Sequence, residues 1–386
     1  MTTFLLLWLA AQVVSVLAVV VFCATLGRPA QLPREPGVVV VVAVKGRNFQ
    51  FDLFVESLFA QDYGNYRVIF AVESAADPAV AAIEALRRRL GQKVTMVVAG
   101  LSVDEGQKTT NLRAAITRLE PRDEVLVLAD ADIVADPGWI RELVAPLAAG
   151  SADLVSGFTW VVPADRRPAT YILASMSAGL STFPRLPFLN AAWGGSTALA
   201  CKTFAELGMA QAWRGTLSDD LQLTAVAQRR RCRIAAPPRV LPRTIARTDG
   251  MAAVAAQARR WYMLVRVYVP VTYALVLAGT TFLTAGWLSA IGGAVLGHRS
   301  ALAVLGAAYA CGVMRDVGRA VLVTRLWGRA GLAQNLPFLL VDPFLTPVAA
   351  VCNAGFAWSA LAMRKTTWAG ITYQLHGPQQ VKVLSR

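Results

Sequence analysis

The chain has 386 residues, 55% of them hydrophobic and 16% charged, with a mean hydropathy of +0.48. That is too apolar for an ordinary soluble enzyme and indicates a membrane protein with a sizeable polar part. A net charge of +14, from 38 Lys and Arg against 24 Asp and Glu, raises nucleic acid as a partner, but the basic residues do not alternate with aromatics as in a binding module, which leaves a lipid bilayer as the partner.

Phe4 to Leu26 carries no charged residue, and at about 1.5 Å per residue it reaches across a bilayer core of about 30 Å. A cleaved signal peptide would show a basic stretch ahead of the apolar run. None is present, so residues 1–27 read as a retained anchor. Arg28 and Arg34 follow directly. Because Lys and Arg collect on the cytoplasmic side, they put the charged block 28–250 in the cytoplasm, with the protein integral to the inner membrane.

That block alternates strand and helix patterns. "GVVVVVAVKG", Gly37 to Gly46, is a β-branched run suited to a strand buried on both faces. A helix is expected from Phe51 to Phe59, a strand from Tyr66 to Ser74, and a helix opened by Asp77 and Pro78 that runs to Leu90. A strand in "KVTMVVAG", a helix from Lys108 to Leu119 and a fourth strand in "DEVLVLADAD" follow. This predicts an α/β fold with a doubly wound, mostly parallel sheet and ligands at the carboxyl ends of its strands. Lys45, Glu73, Asp130 and Asp132 fall at such ends. The strand period of two turns Asp130 and Asp132 to one face, where their mutual repulsion calls for a cation between them or a chemical role. A solvated turn is the plainer reading.

"GTLSDDLQLTAVAQRRR" places Asp219 and Asp220 at the start of a helical run, where an acidic first turn behind a Ser or Asp cap is also simply stabilising. Arg229, Arg230, Arg231 and Arg233 read as a solvated helix end or as a face towards anionic headgroups. Next, residues 251–268 form an interfacial helix, with Gln257, Arg260 and Trp261 within about one turn of each other. Apolar stretches at Val267–Leu296, Ala301 to about Val323 and Leu336 to about Leu361 predict about three spans in a C-terminal transmembrane region, 269–363, before a tail, 364–386.

Five scattered cysteines, Cys23, Cys201, Cys232, Cys311 and Cys352, lack C-x-x-C spacing and suit a reducing compartment. The only histidines are His298 and His376, outside the charged block. Catalysis there has no imidazole base, and a metal there would take oxygen ligands, which favours Mg²⁺ or Mn²⁺.

Asp-x-Asp at a strand end, a later Asp pair, and Q-x-x-R-W ahead of membrane spans resemble the membrane-bound family 2 glycosyltransferases of GT-A fold. The nearest resemblance is to the ceramide glucosyltransferase group, family 21, including its hopanoid-associated relatives. The matching pieces are "VKG" at 44–46, "VESAADPAV" at 72–80, "KTTNL" at 108–112, "ADADI" at 129–133, "GGSTAL" at 194–199, "SDDLQL" at 218–223, "QARRW" at 257–261 and "TTWAGITYQL" at 366–375, covering roughly residues 36 to 375. The resemblance implies an inverting hexosyltransferase that uses a UDP-sugar and a membrane lipid. Asp220 would be the general base, Asp219 its acidic neighbour, and Arg260 would offset developing charge. Lys45, Glu73, Lys108, Asp130, Gln257 and Trp261 would bind the nucleotide sugar, and Asp132 with Asp130 would hold the divalent ion. Glu73 replaces the family's usual Asp.

A catalytic block between an anchor and a hydrophobic bundle suits a lipid hydroxyl: ceramide-like, diacylglycerol or hopanoid, giving a β-glycolipid. Phe183 stands in "TFPR", 182–185, where the ceramide group resembles "SHPR", so the acceptor is open. A processive polysaccharide synthase shares these motifs but needs a channel. A polyprenyl-phosphate sugar transferase as a rule lacks Q-x-x-R-W. A catalytically silent scaffold of the same fold would be expected to have lost some of the charged positions, all of which are present.

Overall fold

The computed structural model describes residues 2–182 and 190–386. Phe183, Pro184 and Arg185 of "TFPR" lie outside the described residues.

The catalytic block is built on a seven-stranded sheet of β1 (Val38–Val44), β2 (Tyr66–Val72), β3 (Val94–Val98), β4 (Val125–Asp130), β6 (Leu154–Ser156), β8 (Ser196–Ala200) and β9 (Ile234–Ala235), in the order β3-β2-β1-β4-β8-β6-β9. β1 runs parallel to β2 and β4, and β8 runs antiparallel to β4 and β6. The apolar run of β1 is continuous because both faces are covered. Val40 and Val42 enter a core beneath α2 (Phe49–Phe59), α3 (Val80–Leu90) and α5 (Trp139–Ala148). Val39 and Val41 enter the opposite core, beneath α4 (Gln107–Ile116) and α9 (Asp219–Arg229). One strand thus feeds two layers, as a doubly wound sheet demands. Asn48 accepts the Phe51 N–H at 3.0 Å and starts α2. Asp77 accepts from Gly46 at 2.9 Å and Ala79 at 2.8 Å, which joins the ends of β1 and β2.

The fourth strand stops at Asp130. Ala131 and Asp132 form a turn into β5 (Ile133–Val134). A second sheet, β5-β10-β7, with β7 spanning Trp160–Pro163 and β10 Arg243–Ala246, lies under that turn. Its β7, with α6 (Pro168–Ser181), shares a continuous apolar core with the long helices through Phe22, Leu26, Leu322 and Phe338.

Among the described residues, three helices are long and apolar enough to cross a membrane: Thr3–Ala24, Pro270–Val295 and Arg299–Ala362. The first is α1; the second, α11, follows α10 (Met251–Tyr268). The third, α12 (Arg299–Ser359), is two arms meeting at Gly328, whose φ of 67° is one that glycine adopts without penalty. The arms are pinned by ions. Arg319 donates to Asp316 and Asp342 at 2.8 Å each, and Arg315 donates to Asp342 at 3.3 Å and to Thr346 at 2.9 Å.

The second arm begins and ends against the catalytic block. Asn335 accepts from Trp160 at 2.8 Å, while further along Asn353 meets Tyr262 of α10 and Arg266 donates to the Met363 carbonyl. The stretch Leu336 to Leu361, read from sequence as a span, is thus tied to Trp160 of the catalytic block just ahead of its start and to α10 towards its end. Its exposed face, with Leu340, Phe344 and Val348, is apolar.

The tail is folded. β11 (Lys365–Trp368), β12 (Ile371–Gly377) and β13 (Gln380–Ser385) make an antiparallel sheet that packs back onto the catalytic block.

Candidate active site

A cavity of about 250 Å³ opens at the carboxyl ends of β1 and β4, lined by Lys45, Lys108, Asp130, Asp132, Trp368 and Tyr373 among others. Four of these were expected from sequence, and two arrive with the tail. Lys45 forms an ion pair with Glu73, and Glu73 lies 3.7 Å from the Arg386 guanidinium. Arg386 also donates to Gln107 Oε1 at 3.0 Å, and the Tyr373 hydroxyl accepts from the Gln107 N–H at 3.2 Å.

Lys108 is the centre of the site. Its ammonium sits 2.6 Å from Asp130 Oδ1 and 3.3 Å from Asp219 Oδ1. Burial works against its charge, but Asp130, Asp219 and Asp220 outweigh that and hold its pKa above the usual lysine value. Asp219 is 1% exposed, and its Oδ2 has no hydrogen-bond partner among the described residues. Burial pushes its carboxyl up to about 6 against the pull of Lys108. Asp220 is only half-buried. Its Oδ2 accepts from the Gly194 N–H at 3.0 Å, and its Oδ1 accepts from Leu221 N–H at 2.7 Å and from the Ser218 hydroxyl. Ser218 precedes the first residue of α9 but makes no side-chain bond to the helix backbone, so the first-turn N–H that is satisfied here, that of Leu221, is met by Asp220 itself.

Gly194 has a packing reason. A Cβ there would lie 2.6 Å from Lys108 Nζ and 2.9 Å from Asp219 Oδ2, nearer than side chains tolerate.

Asp132 is exposed to solvent and lines the cavity. The surrounding protein, with repulsion from Asp130, pushes its carboxyl up to about 7. Asp130 has Lys108 as its cation, whereas Asp132 enters no ion pair among the described residues. Among those residues, no three or more His, Cys, Asp or Glu side chains gather closely enough to hold a metal by themselves.

The elements of Q-x-x-R-W separate. Arg260 stacks its guanidinium 5.2 Å from the centre of the Trp368 ring, and burial pushes its pKa down to about 10, which leaves it cationic at neutral pH. Trp261 packs into the apolar core shared with the long helices. Gln257 is half-buried on the same helix, and its side chain makes no hydrogen bond to another described residue. The helix itself holds the Asp-pair turn, since the Tyr268 hydroxyl accepts from Leu217 N–H at 2.7 Å and Ser218 N–H at 3.3 Å.

Residues 4–381 match the profile of glycosyl transferase family 21. The chain belongs to glycosyl transferase family 21. It is a glycosyltransferase of GT-A fold. No curated protein sequence matches it. Solved structures that resemble this family 21 chain include a mannosyltransferase from Pyrobaculum calidifontis in complex with GDP-Man and Mn²⁺, at 16% identity and TM-score 0.47, covering 88% of this chain and 99% of that one. S. aureus TarS 1–349 resembles it at 12% identity and TM-score 0.39, covering 90% and 99%. Glucosyl-3-phosphoglycerate synthase from Mycobacterium tuberculosis does so at 17% and 0.37, covering 59% and 78%.

Proposed function

We propose that this family 21 transferase moves glucose or a related hexose from a UDP-sugar to the hydroxyl of a membrane lipid, ceramide-like, diacylglycerol or hopanoid, with inversion to a β-glycolipid. One observation carries the reading. The Lys108 ammonium touches Asp130 of the Asp-x-Asp turn and Asp219 of the Asp pair, which brings a donor-side and an acceptor-side motif onto one cation.

The residues divide the work. Lys45, Glu73, Lys108 and Asp130 would receive the nucleoside diphosphate, with Lys108 offsetting phosphate charge as a point cation. Asp130 and Asp132 fit a hard divalent ion, Mg²⁺ or Mn²⁺. They are two oxygen donors in one turn, one of them without a cation of its own, and the remaining ligands would come from the diphosphate and water. When bound, such an ion neutralises charge on the departing diphosphate. Asp220 is the reachable carboxylate of its pair. It would take the acceptor's proton as the acceptor oxygen bonds to the sugar's anomeric carbon and the bond to the diphosphate breaks. Arg260, with Gln257 and Trp261 on the same helix, would flank the leaving group and the acceptor. The long helices and the Arg28 and Arg34 flank support an integral protein of the inner membrane with its catalytic block in the cytoplasm.

The test is product analysis. Membranes carrying the protein are incubated with a panel of UDP-sugars and lipid acceptors, with and without EDTA, and the lipids are read by mass spectrometry. A lipid gaining one hexose, lost in EDTA and restored by Mg²⁺ or Mn²⁺, is expected. A polymeric product, or no sugar-bearing lipid with any pair, overturns the reading. Full turnover in chelator overturns the metal.

A further inference from the structure

The turn that carries Asp130 and Asp132 runs straight into a hydrogen-bonded bridge to the long helices. Behind Asp132, β5 pairs with β10 (Val134 opposite Arg243), and β10 pairs with β7 (Arg243 opposite Trp160). Asp136, the next charged residue after Asp132, accepts from the Trp327 indole N–H at 2.9 Å. Arg243 closes the triangle, 3.6 Å from the Asp136 carboxylate and with its guanidinium 5.4 Å from the centre of the Trp327 ring.

Trp327 immediately precedes Gly328, the bend of α12. On the other side of the bend, the fully buried Asn335 accepts from the Trp160 indole at 2.8 Å, and its amide is fixed by donating to the Gly331 carbonyl at 2.9 Å. Both arms of the bend are therefore hydrogen-bonded to the small sheet that ends in the Asp-x-Asp turn. Apolar contact between block and helices is already provided by Phe22, Leu26, Leu322 and Phe338. The polar bridge is redundant as adhesive, and it is directional where apolar packing is not.

We propose that Trp327 and Asp136 are positioning residues. Through β5 they set where the carboxylates of the Asp130–Asp132 turn stand, so that the bend of the last long helix is part of the donor site's geometry. This rests on the reading of that turn as the divalent-ion and diphosphate site.

The experiment uses the full chain, purified in detergent, and measures binding of UDP by calorimetry across a Mn²⁺ titration. Wild-type protein comes first: UDP binding indifferent to Mn²⁺ would remove the metal reading itself, whatever the variants do. Trp327→Phe keeps the ring and removes the N–H, and Asp136→Asn keeps the shape and removes the charge. Each should raise the Mn²⁺ concentration giving half-maximal UDP binding by on the order of tenfold, the lower end of what losing an outer-shell partner costs. Saturating Mn²⁺ should restore wild-type UDP affinity, and the conservative Asp136→Asn should be the milder variant. Phe338→Leu, which thins the apolar contact alone, should lower the melting temperature without moving the Mn²⁺ midpoint. The proposal falls if folded Trp327→Phe and Asp136→Asn keep the wild-type Mn²⁺ midpoint, or if Phe338→Leu shifts it as far as they do. Should Trp327→Phe fail to fold, Asp136→Asn decides.

Discussion

Lys108 stands 3.3 Å from Asp219, a carboxylate that is 1% exposed and has no other cation within ion-pairing distance among the described residues. A buried charge is tolerable only while its partner is present. Lys108→Met should therefore cost about 3–5 kcal/mol of stability, seen as a large fall in melting temperature, along with activity. Lys108→Arg, which keeps the charge, should recover most of the stability but not the turnover, because a planar fork does not fill the place of a compact ammonium. A melting temperature unchanged in Lys108→Met would show that Asp219 is not held as an anion.

The Asp pair should split by role. Asp220→Asn preserves size and most hydrogen bonding but removes the proposed base, so kcat should fall by about 10² to 10⁴-fold with UDP-sugar affinity nearly intact. Asp219→Asn should lower kcat less and act mainly through the seating of Lys108. If Asp220→Asn retains more than about a tenth of wild-type kcat, the proton goes elsewhere.

Gly194→Ala tests the close approach. The added methyl would press on Lys108 Nζ and Asp219 Oδ2, and the ammonium, tied to two carboxylates, has little freedom to yield. Displacing catalytic groups by about an ångström can cost about 10²-fold in rate. A loss of that order in kcat, with a far smaller loss in donor affinity, is expected from steady-state kinetics. Near-normal turnover would mean the site has slack at this wall.

Much of this site was legible in the sequence, for identifiable reasons. β1 and β4 announced themselves because a two-faced strand must be apolar at every position, and the ends of such strands are where ligands sit. That reasoning found Lys45, Glu73, Asp130 and Asp132. It misjudged one detail, since β4 ends at Asp130 and a turn, not strand alternation, brings Asp132 to the same cavity. Gly194 stood inside a recognised stretch, "GGSTAL", but its reason is three-dimensional, since the side chains it makes room for come from other elements. Trp368 and Tyr373 stood inside another matched stretch, "TTWAGITYQL", where the alternation of Ile371, Tyr373 and Leu375 signals one buried face without saying what buries it. The ions of α12 were invisible for a different reason. Hydropathy averages Arg315, Asp316 and Arg319 into their apolar neighbours.

Those ions carry a prediction of their own. Arg319→Met leaves Asp316 and Asp342 to share Arg315 in a buried setting, and should destabilise the protein by about 3–5 kcal/mol. Arg319→Met combined with Asp342→Leu leaves the Arg315–Asp316 pair neutral, and should be more stable than Arg319→Met alone. Thermal unfolding of the two singles and the double measures the coupling. Additive losses would mean the arms are not joined through these charges.

The return of the tail to the cavity at the strand ends also fixes a parity. Tyr268 and Tyr373 both bond to the catalytic block, so the polypeptide between them can cross a bilayer only an even number of times. If α11 and the first arm of α12 are that pair, and α1 is a single crossing ahead of the block, residues ahead of α1 and behind β13 are expected on opposite sides of the membrane. A fluorescent or enzymatic reporter placed ahead of Phe4 should answer from the side away from the catalytic block, and the same reporter behind Ser385 from the catalytic side.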